Sequence, residues 1–170
     1  MMNFIFFFFS TLGMVLIQTV VLPDFSWFPH CFDLMIINVL YLSLVYPGYW
    51  AGFWLMIIGI IMDSLSGAPF FLHTMAYISI YLIIFFLRRL VFPRSTIFVF
   101  IVGLASACIY QALVIFSVFL LQGRNAISAA DYSLYIGQVI WAAIGIPMGV
   151  WLLETMHQSF LHALKQSHRG

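Results

Sequence analysis

Charge is what this chain has least of. Only 6% of its 170 residues are Asp, Glu, Lys or Arg, where a soluble domain carries about a quarter. Against that, 65% of the residues are hydrophobic and 19% aromatic, more than a water-soluble fold of this length can hide. The solvent around this fold is therefore lipid, and the chain reads as an all-α, polytopic integral membrane protein. Six basic and five acidic residues give a net charge of +1 and no basic patch, which excludes nucleic acid as a partner. Cysteine is scarce as well. Cys31 and Cys108 lie, by the spans derived below, at depths roughly 20 Å apart, which is beyond disulfide reach. Two lone cysteines make no metal site either.

Catalytic signatures are also missing. The chain has no H-E-x-x-H, G-x-S-x-G, P-loop or CxxC pair. His157, His162 and His168 are spaced by five and six, not by the three or four that put two metal ligands on one helical face. No enzyme, metal or cofactor is expected. An intramembrane enzyme on lipid-linked substrates would need more paired acids and bases than this.

What the chain has is long apolar runs. Cutting at prolines, glycines and charges gives about six transmembrane helices, over 3–22, 31–46, 49–66, 69–87, 95–121 and 132–153. The usual length for crossing the hydrocarbon core is about 20 residues. The first run lacks a positive n-region and a small-x-small cleavage site, so it reads as a retained helix rather than a signal peptide. Together the spans form one helical membrane domain, 1–155, followed by a short tail, 156–170. In the tail Met156, Phe160 and Leu164 share a stripe suited to an interfacial helix.

Alternating the spans puts Arg88, Arg89, Arg94, Lys165 and Arg169 on one side and Arg124 on the other. The positive-inside rule then places both termini in the cytoplasm. None of the loops is long enough for a domain. They force neighbouring helices to lie antiparallel and adjacent. Asp24, His30 and Asp33 fall near the outer surface, where water would hydrate them.

Inside the apolar runs the polar exceptions stand out. Asp63 closes the third span, and Gly52, Gly59, Asp63 and Ser66/Gly67 fall on nearly one helical face. Small residues admit a second backbone, and the carboxylate can accept hydrogen bonds from whatever arrives. That face is either a docking site for a partner or ligand, or the device that ties down the turn into span four. His73, Tyr77 and Tyr81 form a second, polar-tipped stripe, which lines a small cavity, faces a partner, or packs in the core. Asp63 and His73 sit at the same end and could meet as an acid–base pair, though such chemistry also needs a substrate pocket. Gly145 and Gly149 in "GIPMG", and Gly103 in "GLASA", are small-xxx-small contacts that more often glue helices of one chain than join two chains.

The stretch from about Leu22 to Pro93 resembles the MreD family of bacterial rod shape-determining proteins. The likeness is carried by "LPDFSW", "YPGYWAGF" and above all "GFWLMIIGIIMDSLSGAPFF", a glycine-rich span ending in Asp before a short turn. Gly52, Gly59, Asp63, Gly67 and Pro69 match that arrangement, whereas Phe71 stands where the family usually has a second glycine. The C-terminal half matches in texture only. The resemblance implies a non-enzymatic, multi-pass component of the bacterial inner membrane. Its partners would be MreC, the MreB cytoskeleton, and RodA with its transpeptidase, working in peptidoglycan synthesis at the lateral wall. It also implies a fold similar to the substrate-binding subunits of energy-coupling-factor transporters. A vitamin-binding subunit is therefore the alternative, although such a site needs several polar groups converging on a cavity.

Overall fold

The computed structural model describes residues 2–24, 32–46, 48–66, 71–88, 96–122 and 129–167. Gly67, Pro69, His30 and Cys31 lie outside them. Among the described residues the chain forms six α-helices: α1 (Met2–Leu16), α2 (Met35–Val45), α3 (Tyr49–Ser66), α4 (Leu72–Leu87), α5 (Thr96–Gln122) and α6 (Ala129–Ser167). Beyond Leu16 the first helix widens into a π-helical stretch, Ile17–Val21, and closes in a tight turn at Leu22–Asp24. Four helices are long and apolar enough to cross a membrane: Phe6–Asp24, Tyr49–Ser66, Ile97–Leu121 and Ser133–His162.

The remaining two are shorter, and α2 departs most from expectation. In place of a span over 31–46 it is an 11-residue helix, about 16 Å long, roughly half the hydrocarbon thickness. Its sequence, MIINVLYLSLV, is uncharged and apolar on every side, the pattern of a helix surrounded by others. Nine of its positions are buried accordingly, and α4, α5, α6, α1 and α3 all pack on it. Asn38 and Ser43, its two non-aromatic polar side chains, are satisfied inside the fold. Asn38 Nδ2 donates to Thr11 Oγ1 of α1 (2.6 Å), and Ser43 Oγ donates to the Val39 carbonyl (2.6 Å).

Around this hub stand two helical pairs, α3 with α4 and α5 with α6. Leu40 of α2, Leu55 of α3, Tyr77 and Ile80 of α4, and Ile146 of α6 meet in the centre and are all but inaccessible. The glycines set how closely the helices approach. A Cβ on Gly103 would stand 2.8 Å from Ile146 Cγ2, so α5 and α6 touch there. A Cβ on Gly145 would meet the Phe32 ring at 2.5 Å, and one on Gly149 would collide with Ile37 Cδ1. All three glycines thus serve packing within this chain.

The sixth helix overruns its expected end. It covers 39 residues, runs through Pro147, and absorbs the boundary drawn between domain and tail at 155. Met156 is exposed, but Phe160 packs against Phe6 with ring centroids 5.7 Å apart. The start of the tail is therefore a wall of the bundle rather than a separate interfacial helix.

Candidate functional site

The first four N–H groups of any helix lack partners within it. For α4 the residue at the capping position is Phe71, which has no oxygen to offer and sits at φ 72°, in the left-handed region. The missing cap comes from the preceding helix. Asp63 Oδ1 accepts the His73 backbone N–H at 2.7 Å, and Oδ2 accepts the Thr74 N–H at 3.3 Å. These are the second and third helical positions, the ones an ordinary N-cap side chain serves. The carboxylate also accepts from Thr74 Oγ1 at 2.7 Å and lies 3.0 Å from His73 Nδ1. Its negative charge meets the positive end of the α4 dipole. Asp63 and His73 are both buried.

The sequence pattern explains how Asp63 comes so close. A Cβ on Gly59 would stand 2.5 Å from Thr74 Cα, and one on Gly52 would stand 3.3 Å from the Tyr81 ring. Of the two readings of the Gly52–Gly59–Asp63 face, a docking site or the device that ties down the turn into the next span, the structure shows the second: the face is filled by α4 of the same chain. It is closed to a second protein, because α4 lies in van der Waals contact along it.

Asp33 repeats the device at the start of α2. Its Oδ1 accepts the Met35 N–H at 2.9 Å, and its Oδ2 accepts the Tyr77 hydroxyl at 2.5 Å. Asp33 is 6% exposed, so the expectation of a hydrated residue is overturned. Sequence distance from a loop says little about depth when a short helix is held within the core. The His73–Tyr77–Tyr81 stripe is likewise buried rather than turned to a partner or cavity. Tyr81 Oη donates to the Gly48 carbonyl at 3.0 Å, and His73 Nε2 lies 3.1 Å from Tyr110 Oη of α5. Asp33, Asp63, His73, Thr74, Tyr77 and Tyr110 thus form one polar cluster linking α2, α3, α4 and α5. Thr74 and Tyr110 had not been singled out, and on a 27-residue apolar helix nothing marks Tyr110.

At the opposite end of α2 a second knot holds α1. His157 Nδ1 lies 2.8 Å from Tyr41 Oη, and the imidazole stacks on Phe6 with ring centroids 4.7 Å apart. Between α1 and α3, floored by α2, runs an apolar cavity of about 590 Å³. Phe7, Leu12, Val15, Trp50, Trp54 and Ile61 are among its lining residues; it has two hydroxyl-bearing residues, Tyr46 and Thr11, and Thr11 is engaged by Asn38.

Helix length and composition make this chain a multi-pass helical membrane protein, with Asp33, Asp63, His73 and His157 buried inside and many large apolar side chains on its outer surface. No protein-family model, no curated protein and no solved structure matches it.

Proposed function

We propose that the chain is a non-enzymatic scaffold of the bacterial inner membrane, a component of the machinery that elongates the lateral cell wall and maintains rod shape. One observation carries this reading beside the resemblance to MreD. The polar groups are consumed by holding the helices together, while an apolar groove between α1 and α3 stays open. A protein that works by docking needs a shaped surface facing the bilayer and no reacting groups on it. In this reading a partner's membrane-spanning helix occupies the groove, and the Asp63 face is its internal support.

The test is photocrosslinking from the groove in native membranes. A benzophenone amino acid at Phe53 or Ile57 is irradiated and the adducts are identified by mass spectrometry. Adducts with MreC, RodA or a wall transpeptidase support the scaffold. Recovery of paired ATPases with a coupling subunit makes the chain the vitamin-binding subunit of a transporter instead. Adducts with lipid alone from both positions overturn docking at the groove.

A further inference from the structure

Helices α3 and α4 are held as a unit whose height is fixed. At one end Asp63 accepts the His73 and Thr74 amides, and toward the other Tyr81 of α4 donates to the carbonyl of Gly48, just ahead of α3. Between these ties Gly59 stands in backbone contact with Thr74. Neither helix can slide along the other without breaking them. The pair is therefore as tall as its own lengths allow: 18 residues in α3 and 16 in α4, about 27 Å and 24 Å. The hydrocarbon core is about 30 Å thick. Elsewhere in the bundle the apolar runs are longer. Ile97–Leu121 and Ser133–His162 cover 25 and 30 residues, about 37 Å and 45 Å. A run that is too long fits by tilting, but tilt only lowers one that is already short.

We propose that the outer face of α4 thins the bilayer beside it and is a binding surface for phospholipids with short acyl chains. Met75, Leu82 and Phe86, spaced by seven and four, form one exposed apolar stripe along that face. The stripe offers no polar atom, so it selects by thickness and not by headgroup. Arg88 follows α4 and Arg89 comes next in the chain, so acyl chains that overran the helix at this end would meet charge, which is costly in hydrocarbon. Snorkelling offers little relief, because the Arg88 guanidinium donates to the carbonyl of buried Ser43 at 3.4 Å and is drawn toward the bundle. The shortfall of about 3–6 Å is left to the lipid. A short-chained phospholipid meets it without compression. None of the stripe's residues lines the α1–α3 groove, so this surface stands apart from the docking reading.

The experiment places the parent chain in vesicles of equal parts dimyristoleoyl- and dierucoyl-phosphatidylcholine, each carrying a diazirine at the same carbon of one acyl chain. After irradiation the adducts are assigned to helices by digestion and mass spectrometry. The expected result is a ratio of short-lipid to long-lipid adducts that is higher on residues 75–86 than on Ile97–Leu121, by about twofold. Equal ratios on the two helices, or a higher one on α5, overturn the proposal. So does an α4 that takes up neither lipid while α5 is labelled, because a protein or a second copy of the chain then covers the stripe. Both helices are read in the same unaltered chain, so the comparison does not depend on any variant folding.

Discussion

Gly59 and Thr74 meet backbone to backbone: a Cβ built on Gly59 would stand 2.5 Å from Thr74 Cα and 2.9 Å from its nitrogen. The polar cluster depends on this approach, because Asp63, one turn further along α3, reaches the α4 amides only while the two backbones are in contact.

Gly59→Ala should therefore destabilise the chain by about 1–3 kcal/mol, toward the upper end because backbone atoms cannot swing aside. Gly52→Ala is the contrast. Its added methyl would meet an aromatic carbon of Tyr81 at 3.3 Å, which a small ring movement relieves. Ala also gains about 1 kcal/mol of helix propensity over Gly. Gly52→Ala should be near neutral. Thermal unfolding of both variants in nanodiscs checks the ordering, and equal losses would show that close approach at Gly59 is not what holds α3 to α4.

Tyr77 and Tyr81 lie one turn apart on α4, are both buried, and should respond differently to loss of the hydroxyl. Tyr77 donates to the Asp33 carboxylate, Tyr81 to the neutral Gly48 carbonyl. Hydrogen bonds to charged groups contribute about 1.5–3 kcal/mol and neutral ones about 0.5–1.5. Tyr77→Phe should thus cost more than Tyr81→Phe, and in an Asp33→Asn background the gap should shrink. Denaturation of the four chains forms a double-mutant cycle. Additive losses would mean that Tyr77 and Asp33 do not act on each other.

Much of this was legible from the residues alone. Apolar runs gave the long helices because lipid leaves the backbone few alternatives to helix. Asp63 stood out as a carboxylate closing a glycine-bearing span. Its task at the turn into the next helix was one of two readings the sequence left open; which amides it caps was not legible, since that depends on a turn placing Phe71, a residue without a capping oxygen, ahead of His73. Asp33 was misplaced for a related reason. Its depth was inferred from a neighbouring loop, whereas α2 is too short to span and lies inside the bundle. The overrun of α6 had a signal that went unused: from Val150 to Ser167 there is neither glycine nor proline to end the helix.

His157 is the group by which that overrun matters, because it fastens α1, otherwise the least buried of the long apolar helices. The ring contributes the stack on Phe6, an edge contact with Phe7 and the hydrogen bond to Tyr41, while its buried Nε2 has no partner among the described residues. His157→Phe keeps a ring in the stack and removes the unpartnered nitrogen, at the expense of the Tyr41 hydroxyl's partner. It should change stability by about 1 kcal/mol or less. His157→Ala removes the ring altogether and should free the Phe6 end of α1. A spin label on Gly13→Cys reports this, since a Cβ there meets nothing within 4 Å. With Cys31 and Cys108 replaced by Ser, the label's spectrum should sharpen in the Ala variant and stay as in the parent with Phe. If Ala and Phe give the same spectrum, α1 is held by Asn38 and Thr11 instead, and the aromatic knot contributes nothing to its position.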